Sequence, residues 1–375
     1  MAKDQRVAWL DHAKGFCIVL VVMLYATDIV QRSAGQEGWL QAVVSFAMPF
    51  RMPDFFLLSG LLVSRVIGRD WRTYLDRKVA HFAYFYVLWL SILLAFEAPW
   101  IAAREGWPAV ANEYLRAYVH PYSMLWFIYL LPVFFVVTRL VRPAPAALVW
   151  LAAAALQVAQ FDTGLKVFDK FAMYFVYFYT GSLAAPHVFR LADAVRAHRG
   201  KALAGLAVWA ALNGALVFTG YSHLRVLSLA LALVGATAVI VVAALVAGMP
   251  AFRPFGYCGR NSIVIYLAFL IPVTVTRKIL GMTGWIEDVG WMSLVATLGG
   301  VVGALAMYWL VRGTPMRFLF ERPERFHLPG AIVSTEKRSP ISSSSASTRL
   351  SSPLPTMANR NAGLNPMRVN EASDG

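Results

Sequence analysis

Ten apolar segments, most of them about twenty residues long, follow one another along the chain and constrain its fold more than any other feature. They span residues 12–31, 42–64, 82–101, 123–141, 146–161, 168–188, 202–220, 226–248, 262–281 and 289–311. A helix needs about 20 mostly apolar residues to cross the ~30 Å hydrocarbon core of a bilayer. Charged residues make up only 14% of the chain, too few to surround soluble cores of this length. The sequence therefore predicts an all-α, polytopic membrane protein with about ten transmembrane helices.

The basic residues between these segments indicate how the chain lies in the membrane. If the N-terminus is cytoplasmic, 19 Lys and Arg residues fall near span ends on the cytoplasmic side and 8 on the other side. This excess predicts a multi-pass protein of the inner (cytoplasmic) membrane with both termini in the cytoplasm. The formal charge of +14 is divided among short clusters beside the segments, which favours contact with anionic lipid of the bilayer over nucleic acid.

The composition changes after the last apolar segment. Residues 8–325 are predicted to form the membrane domain, whereas 331–375 are rich in Ser and Pro and have no apolar periodicity. Such a segment cannot bury enough apolar surface to offset the entropy of ordering. We therefore expect a disordered cytoplasmic tail.

Polar side chains lie along one stripe of the first apolar segment. Asp11 and Lys14 are three residues apart and share a face, and Tyr25 lies nearly on the same line about 16 Å further along the axis. Asp28 follows one turn later. Ionisable groups inside a span are costly and are functional candidates by default. An ion pair between Asp11 and Lys14 that only anchors the helix at the interface is the structural alternative.

The second apolar segment contains prolines and charges in its middle. Pro49 and Pro53 are predicted to break the helix and to free carbonyl groups that need partners. Arg51 and Asp54 lie in this broken stretch, where irregular backbone is tolerated only beside protein or a wet cavity. The alternative is an Arg51–Asp54 pair that satisfies itself at a kink. We predict that four side chains line a cavity: Arg51, Asp54, Ser59 and Trp126.

A basic loop connects the second and third segments and is interleaved with Trp71 and Tyr74. Arginine forms bidentate contacts with phosphate, so the loop is suited to the phosphates of a cytosolic donor; binding of anionic lipid is the alternative. The predicted donor-binding residues are Arg65, Arg69, Arg72, Arg77, Lys78 and His81.

Six sequence segments together resemble the acyltransferase-3 family of integral membrane acyltransferases, which includes polysaccharide O-acetyltransferases and glucan succinyltransferases. The segments are LDHAKGFCIVLVVMLYAT, MPFRMPDFFLLSGLLVSR, DRKVAH, LWFIYLLP, YFYTGSLAAP and GRNSIVIYL, and the likeness covers about residues 8–325. The resemblance implies a ten-helix fold that takes an acyl group from cytosolic acyl-CoA. It also implies a hydroxyl acceptor on a cell-envelope glycan or a small molecule.

The chain departs from the family pattern at the positions that carry chemistry. The pattern in the first helix is a basic residue, ten residues and then His; Lys14 fits the basic position, but Tyr25 stands at the His position. The family's Arg–two residues–Arg pattern matches Lys78 and His81 only loosely, and Phe269 stands where members often have His. The expected His would act as general base on the acceptor hydroxyl or position the reactants. A phenol is almost wholly un-ionised at pH 7.

Three accounts of the chemistry follow. Tyr25 binds the acceptor hydroxyl while Asp28 takes its proton; or the base comes from elsewhere, such as His120 or His223; or transfer chemistry has been lost. In the first account the catalytic residues are Tyr25, Asp28, Lys14 and Asp11.

The sequence thus predicts an acyl-CoA-dependent O-acyltransferase that uses acyl-CoA as co-substrate, with no permanently bound cofactor and no metal. The alternative is a transporter or exporter of a small polar solute, or an inactive relative. Broken helices in corresponding positions of the two halves are typical of transporters, and the sequence shows no such pair.

Overall fold

The computed structural model of the chain describes residues 7–64 and 66–328. Within these ranges the regular structure is helical and contains no strand, so the all-α prediction is confirmed. Arg65 and the predicted disordered tail, 331–375, lie outside the described residues.

Fifteen α-helices follow one another in the described ranges. The first eight are α1 (Ala8–Ala34), α2 (Leu40–Ala47), α3 (Arg51–Leu61), α4 (Trp71–Leu75), α5 (His81–Glu105), α6 (Trp107–Arg116), α7 (Trp126–Leu140) and α8 (Ala146–Ala159). The remaining seven are α9 (Lys166–Ala197), α10 (Arg199–Phe218), α11 (Arg225–Val246), α12 (Arg253–Arg260), α13 (Ser262–Ala268), α14 (Leu270–Thr283) and α15 (Val289–Val311). A π-helical turn, Asp76–Ala80, joins α4 to α5.

Six stretches of the described chain are long and apolar enough to cross a membrane, and two bent helix pairs raise the number to eight. The predicted count of ten is not confirmed. The two other predicted segments correspond to α8 and α9. Helix α8 has 14 residues and is about 21 Å long, shorter than the hydrocarbon core. Helix α9 has 32 residues but carries charged groups at both ends of its aromatic stretch.

The first bent pair is α2–α3, whose axes differ by 46°. This confirms the break predicted from Pro49 and Pro53. Carbonyl groups near the break find side-chain donors: Arg51 Nη1 donates to the Val44 carbonyl at 3.1 Å, and Asn213 Nδ2 on α10 donates to the Phe46 carbonyl at 2.9 Å. Because a carbonyl without a partner is costly in a membrane interior, these two side chains stabilise the irregular backbone.

The second bent pair is α13–α14, with 55° between the axes at Phe269. The sequence shows no pair of broken segments in corresponding positions of the two halves, and this second break is a feature that the structure adds. Pro272, in the first turn of α14, lacks the N–H that would continue the hydrogen-bond ladder, but it lies after the bend rather than within it. The apolar pattern runs through the bend without interruption, so hydropathy alone does not show it.

Helix α1 lies at the centre of the bundle and packs against α3, α11, α12 and α15. Reciprocal glycines allow two of the helix pairs to approach closely. A Cβ at Gly60 of α3 would overlap the Phe178 carbonyl of α9, and one at Gly181 of α9 would overlap the Leu57 carbonyl of α3. Gly15 of α1 and Gly259 of α12 likewise allow these two helices to approach closely, because a Cβ at either position would overlap the backbone of the other helix. Small residues at such crossings let helix backbones pack directly, which is a principal source of helix association in membranes.

Candidate active site

A cavity of about 150 Å³ lies where α1, α3, α7 and α13 meet the turn before α5. Four polar side chains line it: Lys14, Ser59, Lys78 and Ser262. The rest of the wall is aromatic and aliphatic. The cavity has room for about five water molecules, at roughly 30 Å³ each, and therefore for a small group such as an acetyl or succinyl unit rather than a whole nucleotide.

Two ammonium groups make this cavity electropositive. Lys14 and Lys78 are close enough to interact electrostatically, and Lys78 Nζ lies 4.6 Å from the centre of the Phe135 ring. Three further predicted residues, Asp11, Arg51 and Asp54, are not among those that line the cavity. Of the predicted wall, Ser59 is present; Trp126 is not, although its neighbour Phe127 is.

The basic loop is fixed to the protein by an arginine from α7 that is not among the predicted site residues. The Arg139 guanidinium of α7 lies 4.1 Å from the Trp71 ring and 4.6 Å from the Tyr74 ring, and its Nη2 donates to the Arg69 carbonyl at 2.6 Å. Asp70 caps α4 by accepting from the Thr73 N–H at 2.8 Å, which holds the pKa of that carboxyl below its usual value. Together these contacts give the loop a defined shape.

Within this loop the predicted donor-binding residues differ in exposure. Arg69 and Arg72 are exposed, whereas Arg77 and Lys78 are half-buried. His81 packs its ring edge-to-face against Phe82 and Phe85 and does not line the cavity. The loop thus combines exposed guanidinium groups with one lysine that reaches the cavity.

The turn that carries Lys78 is clamped by residues from the far end of the described chain. Buried Asp76 accepts from Arg322 Nη2 at 2.6 Å and from the Leu328 N–H at 2.8 Å, and His327 Nδ1 lies 2.9 Å from the same carboxylate. Arg322 also donates to the Asp76 carbonyl. We call this group the Asp76 clamp. Arg322 and Asp76 are 246 residues apart, so no local sequence signal could have revealed it.

Asp54 lies inside the bundle rather than on the cavity wall. Its side chain is about 1% exposed, Cys17 Sγ of α1 donates to its Oδ2 at 3.9 Å, and Oδ1 has no partner within the described residues. No ion pair joins Arg51 to Asp54 in the described ranges, so the self-satisfied pair considered from the sequence does not occur. Arg51 instead donates to the Val44 carbonyl and so stabilises the broken backbone.

A second polar cluster surrounds Tyr25. The Trp126 side chain hydrogen-bonds Tyr25, and the Arg51 guanidinium interacts with the hydroxyls of both Tyr25 and Tyr174. The Trp126 and Tyr174 rings stack with centres 5.4 Å apart, and Lys170 Nζ lies 5.3 Å from the Trp126 ring. The structure therefore brings Arg51, Trp126 and Tyr25 together, away from the cavity. Lys170 and Tyr174 were missed, although their spacing of four residues on one helix was a usable signal.

The two positions at which the family resemblance predicted His lie side by side. The Tyr25 and Phe269 rings have centres 5.5 Å apart. Asp28, one turn beyond Tyr25, is about half exposed and accepts from Arg32 Nε at 2.8 Å. His223 lies in an exposed turn before α11, and His120 lies in the loop between α6 and α7.

Three aromatic residues separate the Lys14 cavity from the Tyr25 cluster. Phe55, Phe127 and Tyr266 line the cavity, their rings pack with centres 5.3 to 5.5 Å apart, and the Tyr266 hydroxyl donates to the Met124 carbonyl. Beyond them Phe269 contacts both Tyr266 and Tyr25. We call the three residues the aromatic partition. The site consists of an inner electropositive cavity and an outer tyrosine cluster with this partition between them.

Comparison with known proteins connects this arrangement to one family. The family model described as "Acyltransferase domain" matches residues 7–312. The "Inner membrane protein YcfT" of Escherichia coli (strain K12) is 28% identical over 177 residues, a match that covers 40% of this chain and 49% of that protein. The chain thus aligns with about half the length of this relative. No solved structure matches the chain.

Proposed function

The chain belongs to the acyltransferase family whose domain model covers residues 7–312, and from this membership we propose that it transfers a short acyl group from acyl-CoA to a hydroxyl acceptor. The acceptor is a cell-envelope glycan or a small molecule exposed to the far side of the membrane. The observation that carries the proposal is the cavity of about 150 Å³ between Lys14 and Lys78, next to the exposed arginines of the basic loop.

In this proposal, two parts of the donor molecule bind in two different regions of the protein. Its nucleotide phosphates bind Arg69 and Arg72 outside the bundle, where guanidinium groups form bidentate contacts. The acyl thioester enters the cavity, whose size suits a group as small as acetyl or succinyl. Lys14 and Lys78 bind the thioester oxygen and stabilise the negative charge that develops there during attack.

The chemical step is acyl transfer. The acceptor oxygen forms a bond to the thioester carbonyl carbon, the carbon–sulfur bond breaks, and coenzyme A leaves as the thiol. The Tyr25 hydroxyl hydrogen-bonds the acceptor hydroxyl, and Asp28 receives the proton of the acceptor hydroxyl and releases it to solvent on the far side. The leaving thiolate takes a proton from the cytosolic solvent. Because the aromatic partition separates Tyr25 from the cavity, movement of Phe127 or Tyr266 precedes the step.

Replacement of the two cavity lysines tests the donor assignment. We expect Lys14→Gln and Lys78→Gln each to raise KM for acetyl-CoA or succinyl-CoA and to lower kcat/KM about tenfold or more, the loss expected for one charge-assisted hydrogen bond. Purified protein in nanodiscs is assayed for release of free coenzyme A with a thiol reagent.

The matched control is Lys278→Gln, which neutralises an exposed lysine on α14. It should leave KM unchanged. Equal kinetics for all three variants and the parent would exclude the cavity as the donor site.

Transport of a small polar solute is the second candidate, and the two bent helix pairs favour it. Discontinuous helices in the two halves of a chain are typical of transporters. Proteoliposomes with an imposed solute gradient separate the candidates: gradient-driven uptake without any acyl-CoA turnover supports transport, whereas turnover without uptake supports transfer.

A further inference from the structure

A groove between the helices lies away from the candidate active site. It has a volume of about 480 Å³ and runs between the end of α9, the first half of α10 and the second half of α11. Trp9, at the start of α1, packs against Phe189 of α9 with ring centres 5.5 Å apart, so the groove lies toward the membrane face at which α1 begins. We propose that it binds an anionic glycerophospholipid, with the phosphate at the start of α10 and an acyl chain along the groove.

The groove is apolar along its length and basic at one end. Its middle is lined by residues such as Leu206, Val234 and Ala238, while His198 and Lys201 line the end where α9 turns into α10. Arg199 is the first residue of α10, and Arg196, on the last turn of α9, is exposed and paired with Asp193. This distribution matches a molecule with a negative head and an apolar tail, and each basic residue near an anionic head group adds affinity.

The start of α10 also offers backbone donors to a phosphate. No side chain caps this end of the helix, and the space beside Gly200 is open, since an added Cβ there would meet no atom within 4 Å. The first N–H groups of a helix of 20 residues point outward and carry a partial positive charge, which favours binding of an anion. The first turn of α10 thus contains uncapped helix N–H groups together with Arg199 and Lys201, of which Lys201 lines the groove.

The apolar wall extends well beyond the basic end of the groove. Trp209 lines the groove about 12 Å along α10 from Lys201. An acyl chain that begins beside Lys201 therefore has apolar side chains to pack against along the length of the groove, and burial of that apolar surface favours binding.

The loose packing of α10 explains why the groove exists. Helix α10 contacts α11 and α2, whereas its contact with α9 is slight. Trp209 keeps the helix in place by packing against Phe46 and Phe50, with ring centres 5.7 and 5.3 Å away. A lipid in the groove would join α9, α10 and α11 into one surface.

The test measures lipid retained by the full chain. Protein purified in a neutral detergent is mixed with phosphatidylglycerol or phosphatidylcholine, and bound lipid is counted by native mass spectrometry. We expect retained phosphatidylglycerol but little phosphatidylcholine. The double variant Arg199→Gln and Lys201→Gln should lower apparent affinity for phosphatidylglycerol roughly fivefold for each charge removed.

A steric variant tests the groove separately from the charge. Gly205 lines the groove, and a Cβ there would meet no atom within 4 Å, so Gly205→Phe should fill the groove and abolish retention. Gly281→Phe, at a similarly open helical glycine on α14, is the matched control and should retain lipid as the parent does. If Gly205→Phe does not fold, the double glutamine variant still tests whether the groove binds anionic lipid.

Three results would overturn the proposal. They are equal retention by the parent and both groove variants, competition by glycerol 3-phosphate as strong as that by intact phosphatidylglycerol, and a second copy of the chain in place of lipid. The second result would indicate a simple anion site, and the third an interface between copies.

Discussion

At the scale of single residues, Tyr25 determines what chemistry the outer cluster supports. Its hydroxyl is hydrogen-bonded by the side chain of Trp126, and the Arg51 guanidinium lies near enough to interact electrostatically. Because the Trp126 indole can only donate, the phenol oxygen acts as acceptor toward it and can direct its own O–H toward a further group. This arrangement suits binding an acceptor hydroxyl better than removing its proton.

The first prediction concerns substitution of Tyr25 by His. Because an imidazole can act as general base near neutral pH and a phenol cannot, we expect Tyr25→His to raise transfer to the acceptor by about 10²-fold, the lower end of the usual gain from general-base catalysis. The rate should fall as pH decreases below about 6.5, where imidazole becomes protonated. Acyl transfer is measured from pH 5 to 9.

Tyr25→Phe is the control for this substitution. It removes the hydroxyl and keeps the ring that packs on Phe269, so we expect about a tenfold loss of kcat, the value of one neutral hydrogen bond, with KM for the donor unchanged. A lower rate in Tyr25→His than in Tyr25→Phe would contradict the positioning role and indicate chemistry that needs the phenol.

At the scale of helices, direct backbone contact positions the elements that carry the cavity. Helix α3 supplies Ser59, and Gly60 beside it lies directly against the Phe178 carbonyl of α9. Helix α1 supplies Lys14, and Gly15 beside it lies against the Phe255 carbonyl of α12. In both cases the residue next to a polar cavity residue is a glycine that cannot accept a Cβ. The close helix crossings therefore fix the height and direction of the polar groups.

A second prediction follows for these crossings. We expect Gly60→Ala to destabilise the protein by about 1–3 kcal/mol, because the added methyl would overlap a backbone carbonyl and force α3 away from α9. Thermal unfolding in one detergent gives the comparison. Gly281→Ala, where a Cβ has open space, should instead leave stability equal or slightly higher, since alanine favours a helix. Similar losses for both variants would argue against direct backbone contact.

The breaks in the helices show what the sequence could and could not predict at this scale. The α2–α3 break was predictable because Pro49 and Pro53 act locally on the backbone. The α13–α14 break was not, since its apolar run is continuous; both helices of the pair pack against α15, a contact that the sequence does not show. A charged Arg51 inside a span is costly, so the sequence indicates that it is important. Its partner, the Val44 carbonyl, is not predictable, because the contact depends on the geometry of the break itself.

At the scale of the whole molecule, the Asp76 clamp connects the segment after α15 to the turn before α5. The segment after α15 returns to the start of α5, where Tyr84 donates to the Phe318 carbonyl and the Trp89 indole donates to the Leu319 carbonyl. Asp76 then closes the arrangement with Arg322. Contacts of this kind depend on the completed bundle, so the apolar segments are predictable from the sequence but this connection is not.

The third prediction concerns this clamp. Arg322→Met should destabilise the protein by about 3 kcal/mol, because it leaves the Asp76 carboxylate buried with one fewer cationic partner. It should also raise KM for the donor, since the Asp76 turn carries Lys78. Adding Asp76→Asn removes the unpaired charge and should recover part of the stability. Thermal unfolding and donor KM are measured together; a normal melting temperature with normal KM would show that the clamp is dispensable.

The aromatic partition bears on how the membrane keeps its proton gradient. A wet channel from Lys14 to Tyr25 would let protons run down their gradient, and a narrow apolar constriction prevents this by excluding water. With Phe55, Phe127 and Tyr266 in contact, the two compartments are insulated from each other in the resting state. In the proposed transfer, the cavity and the tyrosine cluster would therefore open one at a time, so that the membrane keeps its electrochemical potential during each turnover.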